Sequence, residues 1–381
     1  MSQTASGSKD SRRLKLFVAL ELGLEEWKLA FCTGLDQRIW GCSVPAGDRQ
    51  RLLRVVDRAR RKFGLPEGCE VVSCYEAGRD GFWVDRWLKS VGIKSLVVDS
   101  SSIEVSRRSR RSKTDRLDAH KLVLMLIRHE LGDRRVWCVV RVPTPMQEDA
   151  RHLHREMKTL KKEQTRLINR IKGLLASQGV DRAMGRSGLV KPLEAVKTWD
   201  GSSLPEGLRQ RLEVEIERHA FVHQQVLSCD ARIKRTIRES SEAAVADVRR
   251  LAGLHAIGRH GATILVREFG WRDFRNRREV GALAGLTPTP FQSGKSFRER
   301  GISRAGNRHV RGIIVELAWS WLRRQPGSEL SCWYRRRFAA GSSRLRRIGI
   351  VALARKLLIA LWRYWAEGTM PQGAVLKSNV V

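Results

Sequence analysis

The chain has 381 residues, too many for one ordinary core, and 73 Lys and Arg against 40 Asp and Glu give it a formal charge of +33 and a pI near 11.1. That balance points to a polyanionic partner, most commonly nucleic acid, although a generally basic packing surface would explain the charge alone. Seven cysteines without a C-x-x-C pair exclude a zinc ribbon or a disulfide framework and imply a reducing cytoplasm, and Arg355, Lys356 and Arg363 interrupt the most apolar late run, which excludes a spanning helix.

Residues 1–13, MSQTASGSKDSRR, lack an apolar run and are expected to form a disordered basic tail rather than a secretory signal. From Lys15, "LFVALEL", "WKLAF" and "RIWGCSV" read as a meander of antiparallel strands. Arg49 to Phe63 carries Leu52, Leu53, Val55, Val56 and Ala59 at helical spacing, and "GLPEG" stops it. A strand "EVVSCY", a helix from Phe82 to Ser90, a strand "KSLVVD", an arginine segment and a helix from Asp115 follow. The order β-β-β-α-β-α-β-α over 14–141 is a ribonuclease-H-like layout, a mixed sheet with helices on its faces.

That layout directs attention to acids. Glu21 ends the first strand, Glu76 follows the fourth, and Asp115 and Asp118 stand one turn apart on one helix face. Singly, each has a bland role: a solvated strand end, a turn, or acids suited to the helix dipole. Four acids converging from three segments suit two-metal phosphodiester chemistry, with Mg²⁺ or Mn²⁺ as the cofactor. Arg107, Arg108, Arg110, Arg111 and Lys113, just before them, would attract phosphate.

Residues 142–240 change character. Met146, Ala150, Leu153, Met157, Leu160, Gln164, Leu167, Ile171 and Leu174 form a heptad seam, a polar link spans 182–205, and a second helical pattern runs from Leu208 to Ile237. An antiparallel hairpin of two long helices, or a dimer through them, satisfies both patterns. His219 and His223 lack a third ligand or the acid of a metalloprotease helix, and read as seam or surface residues.

The region 241–367 is expected to be mainly helical, with 368–381 a frayed tail. "LAGLHAIGRHGATILVREFG" is similar to a helix-hairpin-helix, which offers backbone N–H groups to a DNA phosphate, or is an ordinary helical hairpin. The loop-rich block Leu283 to Ile314 carries Ser293, Ser296 and Ser303 among Lys295, Arg298, Arg300, Arg304, Arg308 and Arg311. A serine held among cations can attack phosphorus, and the residues alone leave the three serines as equal candidates.

Together, "VALELG", "YEAGRDGFW", "KTDRLDAHKLV", "RLINRIKGLLASQGV", "LHAIGRHGATILVREFG" and "LAGLTPTPFQSGKSFRERGISRAGNRHVR" make the chain resemble the DEDD transposases of the insertion-sequence one-hundred-and-ten family, described as bridge-RNA-guided recombinases. The resemblance covers about Leu16 to Trp365. It implies a RuvC-like domain with metal-binding acids at Glu21, Glu76, Asp115 and Asp118, a coiled-coil arm, and a C-terminal transposase domain with Ser293 as nucleophile. It also implies assembly as a dimer or tetramer, donor and target DNA, a structured bridge RNA, and a cytoplasmic, nucleoid-associated location with no membrane partner. The family's first acid is aspartate, where this chain has Glu21. The alternatives are a metal-only nuclease resembling a Holliday-junction resolvase, and a non-catalytic nucleic-acid-binding protein.

Overall fold

The computed structural model describes residues 14–78, 81–104, 115–181, 184–185, 187–293 and 296–378, in two compact units that divide between Pro143 and Thr144. The first contains β1 (Lys15–Leu22), β2 (Glu26–Cys32), β3 (Trp40–Pro45), α1 (Arg49–Lys62), β4 (Glu70–Glu76), α2 (Trp83–Ser90), β5 (Lys94–Val98) and α3 (Asp115–Glu130). This is the element order expected from the apolar runs. The five strands form one sheet in the order β3-β2-β1-β4-β5, antiparallel from β3 to β1 and parallel across β1, β4 and β5.

Strand alternation explains how both sheet faces are covered. Leu16, Val18 and Leu20 pack with Leu52 and Val56 of α1 and with Val84 and Leu88 of α2. The intervening Phe17 and Ala19, with Val72 and Cys74 of β4, pack under Ala119, Leu122, Val123 and Leu126 of α3. The Asp48 side chain accepts from Arg51 N at 2.9 Å to start α1, and three basic residues occupy its last turn, favourable for the helix dipole. Glu130, at the carboxyl end of α3, pairs with Lys94 at 2.9 Å and Lys15 at 3.7 Å, at the amino ends of β5 and β1. The helix therefore runs antiparallel to those strands, and its first turn lies toward their carboxyl ends.

The second unit contains α4 (Pro145–Asp149), α5 (His152–Ala176), α6 (Glu206–Glu239), α7 (Ala243–Ala252), α8 (Arg259–Leu265), a π-helical turn (Val266–Gly270), α9 (Arg277–Leu283), β6 (Pro288–Ser293), β7 (Ser296–Ile302), α10 (Arg308–Arg324), α11 (Glu329–Tyr334), a second π-helical turn (Arg335–Ala339) and α12 (Ser343–Glu367). Helices α5 and α6 pair antiparallel through Glu156–Arg232, Gln164–His223 and Arg170–Glu215. Met184, Leu193, Val196 and Leu204 of the link join Ile171, Leu175 and Leu212 in a small core that closes the far end of the hairpin. Leu353, Leu357 and Leu361 of α12 pack with Val310, Ile314 and Trp321 of α10 in the main core.

Two features depart from the sequence expectation. The heptad seam does not run unbroken from Met146: Thr144 forms a reciprocal capping box with Gln147, α4 ends at Asp149, and Met146 is 82% exposed. The buried line of α5 is instead His154, Met157, Gln164, Leu167, Ile171 and Leu175. Residues 371–377 are not frayed. His255 N donates to Val375 O at 3.0 Å, Lys377 N donates to Gly253 O at 2.8 Å, and Lys377 Nζ donates to Ile257 O at 2.8 Å, so this segment straps the α7–α8 hairpin.

Candidate active site

Two of the four expected carboxylates share a cleft of about 290 Å³ at the carboxyl edge of the sheet. Glu21 and Glu76 line it together with Tyr75, Gly78 and Ser100. The parallel register that places Leu20 opposite Tyr75 brings the two glutamates onto adjoining strands at the next position. Both continue the alternation of Ala19 and Cys74, so both lie on the α3 face. Burial first, and the Glu76 carboxylate second, push the Cys74 thiol well above its ordinary range, consistent with Glu76 on that face.

Asp115 and Asp118 stand in the first turn of α3. The Cys74 thiol lies 3.8 Å from Leu122 O, which fixes the level of the helix over the Ala19–Cys74 row. Two strand residues advance about 6.6 Å and four helix residues about 6 Å, so the Asp118 backbone stands near the level of Glu21 and Glu76. Among the described residues, no three His, Cys, Asp or Glu side chains form a metal-holding group. Arg107, Arg108, Arg110, Arg111 and Lys113 lie outside the described residues.

In the second unit, Ser293 ends β6 and pairs in register with Ser296 of β7, so both stand at the hairpin tip; Lys295, between them, lies outside the described residues. Ser303 is at the hairpin base, where its N donates to Thr287 O at 2.9 Å. That base is closely packed: Gly285 has φ +67° and Gly306 has φ +119°, and a Cβ at either would meet backbone oxygen at 2.4 Å or less. Arg298 and Arg300 lie on β7, Arg304 is exposed, and Arg308 opens α10. Arg311 is engaged in holding the base, its Nη1 donating to Arg304 O at 2.9 Å and Ala284 O at 3.2 Å.

Below the hairpin base lies a buried carboxylate, Glu268, 1% exposed on the first π-helical turn. His154 Nε2 lies 2.9 Å from Oε1, Arg155 donates to both oxygens at 2.6 and 2.9 Å, and Asn307 Nδ2 donates to Oε2 at 2.9 Å. Burial pushes the Glu268 carboxyl up, but these hydrogen bonds and the Arg155 charge overcome it and hold the group well below the usual carboxylate range. Asn307 Oδ1 accepts from His309 N and Val310 N, capping α10. One side chain thus connects Glu268, the hairpin base and α10, while His154 and Arg155 bring in the head of α5.

The family model described as the IS116/IS110/IS902 transposase family matches residues 248–332. The chain is 39% identical over 376 residues to the putative transposase y4rJ of Sinorhizobium fredii, covering 95% of each. It belongs to this transposase family. It is also 25% identical to the transposase of insertion sequence IS1111A of Coxiella burnetii over 78% of each chain, and 24% identical to that of IS1328 of Yersinia enterocolitica over 60% of this chain and 66% of the other. No helix among the described residues of this transposase is long and apolar enough to cross a membrane.

Sequence reasoning missed Glu268 in the transposase, along with its partners His154, Arg155 and Asn307. An acid inside the apolar run "ATILVREFG" was the available signal. The same region predicts a pH response. Burial holds His260 and His309 down to about 4, with Lys161 and His154 adding to the effect at His260 and Lys158 and Arg155 at His309. An unfolded histidine titrates near 6.5, so on acidification the unfolded chain takes protons that the folded one refuses. Stability is therefore expected to fall as pH drops from about 6.5 to about 4; Glu268, lowered in the fold, loses its contribution only below the ordinary carboxylate range. Urea midpoints at pH 7 and pH 5 measure this, and a His260→Gln, His309→Gln double variant should flatten the difference.

Proposed function

We propose that this transposase is a metal-dependent DNA recombinase with a ribonuclease-H-like first unit, in which an acidic edge and a serine carry out strand cleavage and exchange. The observation that carries the reading is the shared cleft of Glu21 and Glu76 on the α3 face, with Asp118 on the helix turn at its level. The donor set is wholly carboxylate oxygen, which fits a hard divalent cation. Glu21, Glu76, Asp115 and Asp118 would hold Mg²⁺ or Mn²⁺, which when bound supplies charge stabilisation at a phosphodiester.

Ser293 is the nucleophile on this reading. Its Oγ forms a bond to phosphorus as one bridging P–O bond breaks, giving a phosphoserine ester; the serine proton leaves to a base, and the departing deoxyribose oxygen is protonated. Lys295, Arg298 and Arg300 would supply positive charge to the phosphoryl oxygens. Donor and target DNA, a structured guide RNA and further copies of the chain are its partners, and the charge of +33 suits the polyanions.

The test is to incubate the protein with Mg²⁺, donor DNA and the RNA flanking the element, and to look for a protein–DNA adduct that survives denaturation. Glu76→Gln and Asp118→Asn are each expected to reduce adduct formation by at least about a hundredfold while leaving DNA affinity equal or raised, because each removes a negative charge facing phosphate. Glu21→Asp should retain activity, whereas Glu21→Ala should lose it. Mg²⁺-dependent cleavage without any adduct would replace the recombinase with a metal-only nuclease.

A further inference from the structure

Between Glu329 and Glu367 the chain has no acidic residue, against eight arginines and one lysine. Six of those arginines, Arg335, Arg336, Arg337, Arg344, Arg346 and Arg347, are exposed and lie in two short segments. The fold brings the segments side by side. Tyr334 Oη donates to Arg346 O at 3.2 Å, and the Phe338 ring packs so tightly on Gly349 that a Cβ there would meet it at 2.4 Å. The second π-helical turn therefore lies against the first two turns of α12, which brings the two exposed arginine segments together.

This surface lacks internal compensation. Among the described residues none of the six arginines forms an ion pair; Arg335 donates to Pro326 O and Arg347 to Ser343 Oγ at 3.3 Å. Arg344, Arg346 and Arg347 also crowd the positive end of the α12 dipole, where acids would be favourable. The fold accepts like-charge repulsion here, and a polyanion would relieve it.

We infer that the α11–α12 corner is a docking surface for the sugar–phosphate backbone of duplex DNA, contacted without base readout. Duplex rather than single-stranded nucleic acid fits because the neighbouring aromatic rings are engaged: Trp333 lies under Lys356 Nζ at 4.7 Å and against Phe338, leaving no aromatic platform in the patch for an unstacked base. Leu345 and Ile348, 40% and 45% exposed, offer only aliphatic contact between the arginines. The site deepens the proposed function by assigning it a DNA-holding surface, and the two readings fail separately because binding is measured without cleavage.

The experiment uses the full chain and a labelled duplex of arbitrary sequence, titrated across a range of salt concentrations. Arg336, Arg337, Arg344 and Arg347 are replaced together by Gln; Arg49, Arg51, Arg54 and Arg61, exposed on α1, are replaced together in a control of equal charge. Each phosphate contact contributes about 0.9 to the slope of log affinity against log salt, so the corner variant should lose up to about 3.6 from that slope and the control much less. Binding of single-stranded polyuridine should change less than binding of duplex. An Arg344→Glu, Arg347→Glu variant should weaken duplex binding while its thermal midpoint stays equal or rises, since acids suit that helix end. An unchanged slope in the corner variant, an equal loss in the α1 control, or a greater loss for polyuridine than for duplex would overturn the assignment.

Discussion

Ser293→Ala is expected to abolish the denaturation-resistant DNA adduct and lower recombination to below about a thousandth of wild type, because on the proposed reading it removes the nucleophile and leaves only binding and electrostatic contributions. The expectation rests on position. Ser293 stands at the tip of the β6–β7 hairpin, and the base of that hairpin is fixed by Ser303 N on Thr287 O, Asn307 N on Leu283 O and the close approaches at Gly285 and Gly306. A fixed hairpin base is suited to holding a residue near the turn in a defined place for a large substrate. Ser303 belongs to the base, so Ser303→Ala should be nearly silent. Ser296 shares the tip and is the stringent control. Gel analysis after denaturation, with and without Mg²⁺, measures the outcome, and adduct formation by Ser293→Ala at the wild-type rate would remove Ser293 from the mechanism.

Glu268→Ala is expected to be the most destabilising single substitution of those considered, costing about 3–5 kcal/mol, because it breaks a buried ionic network and leaves its partners without an acceptor. Arg155 is 41% exposed and can turn toward water. His154, with a fully buried side chain, and the Asn307 amide have less freedom, so most of the loss should come from them. Glu268→Gln should cost less, about 1–3 kcal/mol, since it retains the shape and one acceptor. In an Arg155→Ala background the Glu268→Ala cost should shrink, the signature of coupled partners. Urea unfolding followed by tryptophan fluorescence reads all three. A Glu268→Ala midpoint equal to wild type would show that the network contributes little to folding.

The two expectations differ in how far the sequence alone could support them. "TPTPFQSGKSF" announces a turn between extended residues, and Ser293 was legible as a candidate from its neighbours alone. What the residues could not do was separate it from Ser303, because that distinction depends on which backbone groups pair across the hairpin. Glu268 was not legible as a network centre: its partners lie 39 to 114 residues away in the chain. An acid between Arg267 and Phe269 looks no different from one on a solvated face until tertiary packing buries it.

The sequence by itself determined the strongly basic character, the order of strands and helices in the first unit, the two long helices of the second, and the placement of Glu21 and Glu76 at strand ends. These follow from period-2 and period-3.6 apolar patterns and from turn residues, which act over a few neighbours and need no distant partner. Tertiary structure alone decided that β1 and β4 lie side by side in a register that puts both glutamates on the α3 face, that α4 and α5 are separate, that residues 371–377 strap the α7–α8 hairpin, and that two exposed arginine segments lie side by side. Each of these is a choice among partners remote along the chain, settled by burial and hydrogen-bond completion in the whole fold, and local pattern is the same whichever partner is chosen.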